Sequence, residues 1–186
     1  MEALLGEATT LTGIPGGLVE APGEEWQRLR WRELAARLGH GLDDNNVPPC
    51  FRWFPYKSWP ASIRPPAEGS LDADSLASLT EQLKAVTPAG TCFASYGLVA
   101  AGANEELPRC FYGPLDAIDV LVDPSMGRHG TPSNFWPDDR SWFVYTDWDL
   151  MGTKVSGSRR LIEALSSHAD LETILWSRPP AGDATG

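Results

Sequence analysis

The strand-like runs of this chain are bunched together between helical segments, and that order constrains the fold more than any other feature. Read from the N-terminus, the pattern is helix, strand, helix, four or five strands, helix, strand. A doubly wound parallel sheet needs strands and helices to alternate, whereas bunched strands reverse through short turns and pair antiparallel. The expectation is therefore an α+β fold: a single domain with a largely antiparallel mixed sheet and about three helices.

The first helix is predicted over 24–38, with Pro22-Gly23 before it and Gly39 after it. Trp31, Leu34, Ala35 and Leu38 recur at helical spacing and mark one face, with Trp26 and Leu29 beside it. The second covers 72–86. Asp72 supplies an N-cap, Leu71 and Leu76 are placed as a hydrophobic staple, and Leu76, Leu79, Leu83 and Val86 form the apolar stripe up to Pro88. The third covers 158–167, capped by Ser158, with Leu161, Ile162 and Leu165 facing inward. Strands are predicted at 50–54, at 91–100 as a central strand, and at 109–112, 118–122, 141–146, 151–156 and 171–176. The run 141–146 alternates: Trp142 and Val144 face one way, Phe143 and Tyr145 the other. Residues 151–156 are placed to pair with it across a turn at 147–150.

Residues 1–23 are rich in Gly, Thr and Pro and read as a flexible lead-in; 24–176 form the single domain, and 177–186 read as a flexible tail. The 186 residues suit one domain, and 42% hydrophobic against 22% charged residues is enough for a core without disulfide or metal support.

A net charge of −10 argues against nucleic acid and against an anionic membrane surface as partners. It suits a basic protein partner, and equally plain solubility. No apolar run approaches the roughly 20 residues of a membrane helix, and Met1 to Thr12 lack the basic-then-apolar order of a signal peptide. The expected location is the cytoplasm. Cys50, Cys92 and Cys110 are odd in number, far apart and set in apolar or aromatic runs. They read as buried thiols, with no zinc site, and no metal or cofactor is expected.

The most distinctive stretch is 128–149, where aromatics and charges of both signs are interleaved. Trp136, Asp138, Asp139, Arg140, Tyr145, Asp147, Trp148 and Asp149 read as a recognition surface, since Trp, Tyr and Arg dominate binding hot spots. The competing reading is a loop folded back on a strand, with Trp136 and Trp142 in the core. Pro137-Asp138-Asp139-Arg140 has turn chemistry, with Pro at the second and Asp at the third position, and Arg140 within reach of either Asp. Asp147 and Asp149 would share one face of an extended segment, as a divalent-ion pair or as an ordinary strand end. His40 follows a helix end and His168 lies in the last turn of the third helix, where a cation suits the dipole. His129, in a Gly-containing loop, is the histidine to test for chemistry, including a Cys110–His129 pair. Walker spacing and a Gly-x-Ser-x-Gly elbow are both absent. Trp53 and Trp59, with Arg52, Lys57 and Arg64, form a mildly basic aromatic segment, read either as a stacking site or as core beside a proline-stiffened loop.

The run Asn134 to Trp142, then Thr146-Asp147-Trp148-Asp149-Leu150, Gly152-Thr153 and the helix start at Ser156-Gly157-Ser158, resembles uncharacterised bacterial proteins, some of them similar to immunity proteins of toxin systems. The resemblance covers about residues 109–176 and lies in scaffold and turn residues, so it carries no catalytic assignment. It implies a module that binds and neutralises another protein.

The leading expectation is a non-enzymatic, acidic protein-binding module, immunity-like, with a basic partner. Two alternatives stand beside it: a small-molecule or metal-dependent enzyme around His129, Asp147 and Asp149, and a structural subunit of an oligomer. The oligomeric state is left open.

Overall fold

The computed structural model describes residues 29–43, 54, 59, 63, 69–96, 110–122, 130–146 and 152–176. Among them are three α-helices: α1 (Trp31–Leu38), α2 (Ala73–Lys84) and α3 (Arg159–Ser167). A 3-10 segment spans Leu115–Leu121. Five strands, β1 (Thr91–Ser95), β2 (Cys110–Pro114), β3 (Asn134–Trp136), β4 (Phe143–Thr146) and β5 (Thr153–Ser156), form one sheet in the order β2-β1-β3-β4-β5. Every neighbouring pair is antiparallel, so the α+β architecture expected from bunched strands is the one found.

The core lies on one face of the sheet. Cys92 and Ala94 from β1, Phe135 from β3, and Val144 with Trp142 from β4 and its approach point into it. The helices complete it with Leu76, Leu79 and Leu83 of α2, Leu115 and Ile118 of the 3-10 segment, and Leu161 and Leu165 of α3. The stripe predicted on the second helix is thus its buried face. Its cap is also as predicted: Asp72 Oδ1 accepts from the Ser75 amide at 3.0 Å. Ser158 caps α3 by accepting from the Leu161 amide at 3.3 Å. Thr131, just before β3, ties the entry of α2 to the sheet. Its hydroxyl accepts from the Leu71 amide at 3.1 Å, and its own amide donates to Ser70 Oγ at 3.0 Å.

Four expectations are corrected. First, α1 starts at Trp31 rather than at residue 24: Leu29 lies outside the helix, and Arg30, its N-cap, is extended with no side-chain cap of its own. The cap comes from far along the chain. Glu172 accepts from the amides of Trp31 (2.6 Å) and Arg32 (2.7 Å). Second, 171–176 is not a strand: it runs as an irregular strap held to α1 by those bonds and by Arg32 Nη2 to the Thr173 carbonyl at 3.0 Å. Third, 118–122 belongs largely to the 3-10 segment. Leu115 and Ile118 are the residues that sit in the core, and that three-residue spacing matches a 3-10 helix rather than a strand. Fourth, the strand in the run at 91–100 ends at Ser95: it supplies β1, an interior strand as expected, between β2 and β3. The strand predicted at 50–54 lies outside the described residues except for Phe54, which is buried against Trp59 (ring centroids 4.9 Å).

Candidate functional site

Strand parity divides the residues of the sheet between two faces. Opposite the core, one register row runs straight across four strands: Tyr112 on β2 faces Phe93 on β1, Phe93 faces Trp136 on β3, and Trp136 and Phe143 meet across β3 and β4. All four are aromatic. Their ring centroids are 4.7, 5.8 and 5.7 Å apart in sequence across the row, and the last two pairs are nearly parallel. Such cross-strand aromatic contacts are the stabilising unit of a sheet face. This row also remains open to solvent, with Tyr112 57% and Phe143 38% exposed. In the next row on the same face, Ser95 and Asn134 at the centre are buried at 2% each, while Cys110 at one end and Lys154 at the other are exposed. The open aromatic strip is therefore narrow, one row deep and four strands long.

A polar group sits at the β2 end of the strip. Asp138 Oδ2 accepts from the Tyr112 hydroxyl at 3.0 Å and from Thr91 Oγ1 at 3.1 Å, drawing three segments together. Asp138 owes its position to a turn in which the Arg140 amide donates to the Pro137 carbonyl at 3.0 Å. Proline therefore occupies the first position of the turn, not the second. Arg140 has a left-handed backbone (φ 54°), a conformation that costs a side-chain-bearing residue free energy. Asp139 Oδ1 accepts from the Ser141 amide at 3.0 Å. That amide, followed by the Ser141 side chain, holds the Asp139 carboxyl below the ordinary carboxylate range. The expected local pairing of Arg140 with Asp138 or Asp139 is not formed. Among the described residues, the only ion pairs are Arg32–Glu172, Arg37–Glu33 and Lys84–Asp116, so neither aspartate has a cationic partner among them.

The predicted recognition residues fall into three groups. Trp136, Asp138, Asp139 and Arg140 stand together at this face or on its adjoining turn. Tyr145 lies on the same face one row further in, half-buried and in register with Asn134 and Lys154. Asp147, Trp148 and Asp149, with His129, lie outside the described residues. The reading that put both tryptophans in the core holds for Trp142, at 2% exposure, and fails for Trp136, which is half-buried in the open row. Tyr112, Phe93, Phe143 and Thr91 were missed as site residues. The alternation of 141–146 had placed Phe143 on the face opposite Trp142; nothing in the sequence placed Tyr112 or Phe93 beside Trp136.

No family model, curated protein or solved structure matches the chain.

The remaining candidates are less organised. Cys92 is buried, and burial, followed by the Asp138 carboxylate, pushes its thiol up to about 11, the opposite of what a nucleophile needs. Cys110 is exposed on the edge strand β2. Of the helix-end histidines, His168 accepts a hydrogen bond at Nδ1 from the Asp170 amide at 3.2 Å. The His40 amide closes the end of α1 by donating to the Ala35 carbonyl at 2.8 Å. Among the described residues, no group of three His, Cys, Asp or Glu side chains could hold a metal ion, and no helix is long and apolar enough to cross a membrane. A shallow groove of about 390 Å³ between α1 and the strap is lined by Arg30, Arg32, Glu33, Ser166, Glu172 and Thr173, and shares no residue with the aromatic strip.

Proposed function

We propose that this protein is a non-enzymatic, acidic binding module of the cytoplasm, immunity-like in role, that captures a basic protein partner on the open row Tyr112-Phe93-Trp136-Phe143 and the adjoining aspartates. One observation carries the reading: an exposed aromatic row ends at the Asp138 carboxylate, with Asp139 next to it in the turn, and no cation among the described residues pairs with either. Aromatic side chains supply contact area at little entropic cost, and unpaired carboxylates beside them select for positive charge. The overall charge of −10 adds attraction at long range.

The test compares two baits in lysate of the host: the wild-type protein and a variant carrying Phe143→Asp, Asp138→Lys and Asp139→Lys. The reading expects a stoichiometric basic protein on the first bait and its loss from the second, with both baits giving the same circular dichroism spectrum. Equal recovery on the two baits, or no protein on either, would remove this face from the account.

A further inference from the structure

The β2 end of the strip differs from the rest of it, and the difference points to the chemistry of the contact. Tyr112 lies on an edge strand. Its ring meets Phe93 on one side, no strand among the described residues lies beyond β2 on the other, and the residue is 57% exposed. Its hydroxyl donates to Asp138 Oδ2, which fixes the ring and places a carboxylate at its rim. Oδ2 also accepts from Thr91, so that oxygen is fully engaged, while Oδ1 makes no hydrogen bond among the described residues. The seat thus offers an aromatic face, a carboxylate oxygen beside it that bonds to none of the described residues, and negative charge that no described cation pairs with.

We propose that Tyr112 and Asp138 form a seat for an arginine side chain of the partner, with the guanidinium on the phenol ring and its N–H fork turned to Asp138 Oδ1. This rests on the binding reading above and names the group that is bound. Arginine fits better than lysine for a geometric reason. A planar guanidinium can lie against a ring and still direct N–H groups sideways to a carboxylate; an ammonium is a compact, strongly hydrated point charge. A hydrogen bond charged on both sides is also roughly twice as strong as a neutral one.

The experiment is a titration of the isotope-labelled protein, followed by NMR, with the dipeptide acetyl-Arg-Arg-amide. The neutral citrulline analogue and the lysine dipeptide serve as comparisons. The seat predicts saturable shifts at the Tyr112 ring and the Asp138 amide with the arginine peptide, and none with citrulline. Asp138→Asn, which keeps the shape of the side chain, should weaken binding about tenfold. Tyr112→Phe keeps the ring and should weaken it less than Asp138→Asn. Equal binding of the citrulline peptide, equal binding of the lysine peptide, or no effect of Asp138→Asn would each overturn the proposal. These outcomes separate from the lysate test. A partner lost from the triple variant while the dipeptide fails to bind would sink the arginine seat and leave the binding face standing; dipeptide binding without any captured partner would do the reverse.

Discussion

Trp142 Nε1 donates to Thr87 Oγ1 at 2.8 Å, and the Thr87 hydroxyl in turn donates to the Leu83 carbonyl at 2.6 Å. Both side chains are buried, so the indole of the core is tied to the last turn of α2 through a single hydroxyl. Thr87→Val keeps the shape but strands a buried N–H. The expected cost is about 1–3 kcal/mol, read from chemical denaturation, whereas Thr87→Ser should keep most of the stability.

Glu172 caps α1 from across the sequence, and both of its oxygens are engaged with backbone amides. Glu172→Ala should cost about 1–2 kcal/mol, the scale of a lost helix cap strengthened by charge. The loss should be local. Hydrogen exchange is expected to accelerate in α1 and the strap, with the amides of β1, β3 and β4 hardly changed. Uniform acceleration throughout the sheet would show that α1 is not a separable unit.

Cys92 and Asp138 are coupled across the sheet: burial, then the carboxylate, holds the thiol protonated. The folded value is raised above 9.0, so the contribution to stability is complete below about pH 9 and is lost as the pH climbs toward about 11. Two units correspond to about 2–3 kcal/mol. With Cys50 and Cys110 replaced by serine, the difference in stability between the Cys92 protein and its Cys92→Ala variant should shrink by that amount over this window. Asp138→Asn should move the thiolate ultraviolet titration to lower pH.

Gly157 sits where a methyl group would not fit. A Cβ there would lie 2.7 Å from Leu161 Cδ2 and 3.2 Å from Trp142 Cβ. Because Leu161 is itself buried, it has little room to move away. Gly157→Ala should cost about 1–3 kcal/mol through overpacking, measured by thermal or chemical unfolding.

Local chemistry was legible in the sequence wherever one segment decided its own structure. The caps at Asp72 and Ser158, the stripe of α2 and the alternation of β4 follow from spacings of four residues or fewer, and the pairing of β4 with β5 joins residues only seven to thirteen apart. What the sequence hid was set by partners far along the chain. β3 has only three residues, too few for a periodic signal, yet it is the central strand because β1 and β4 flank it. The start of α1 was misplaced because its cap is Glu172 rather than a neighbour. Trp136 and Asp138 were legible as members of the candidate face from their setting among other aromatics and charges. Tyr112 and Phe93 were not, because only the register of β1 against β2 and β3 brings them alongside.

The bonds from Glu172 to Trp31 and Arg32 span 141 and 140 residues. On the ribosome this order matters. The segment of α1 leaves the exit tunnel early, but the carboxylate that completes its first turn emerges only after the whole sheet has been made. An eight-residue helix without that cap is too short to persist alone in water. The first helix of the described residues therefore waits for one of the last residues of the domain to be made, and until then its unfinished end lacks the bonds that hold it.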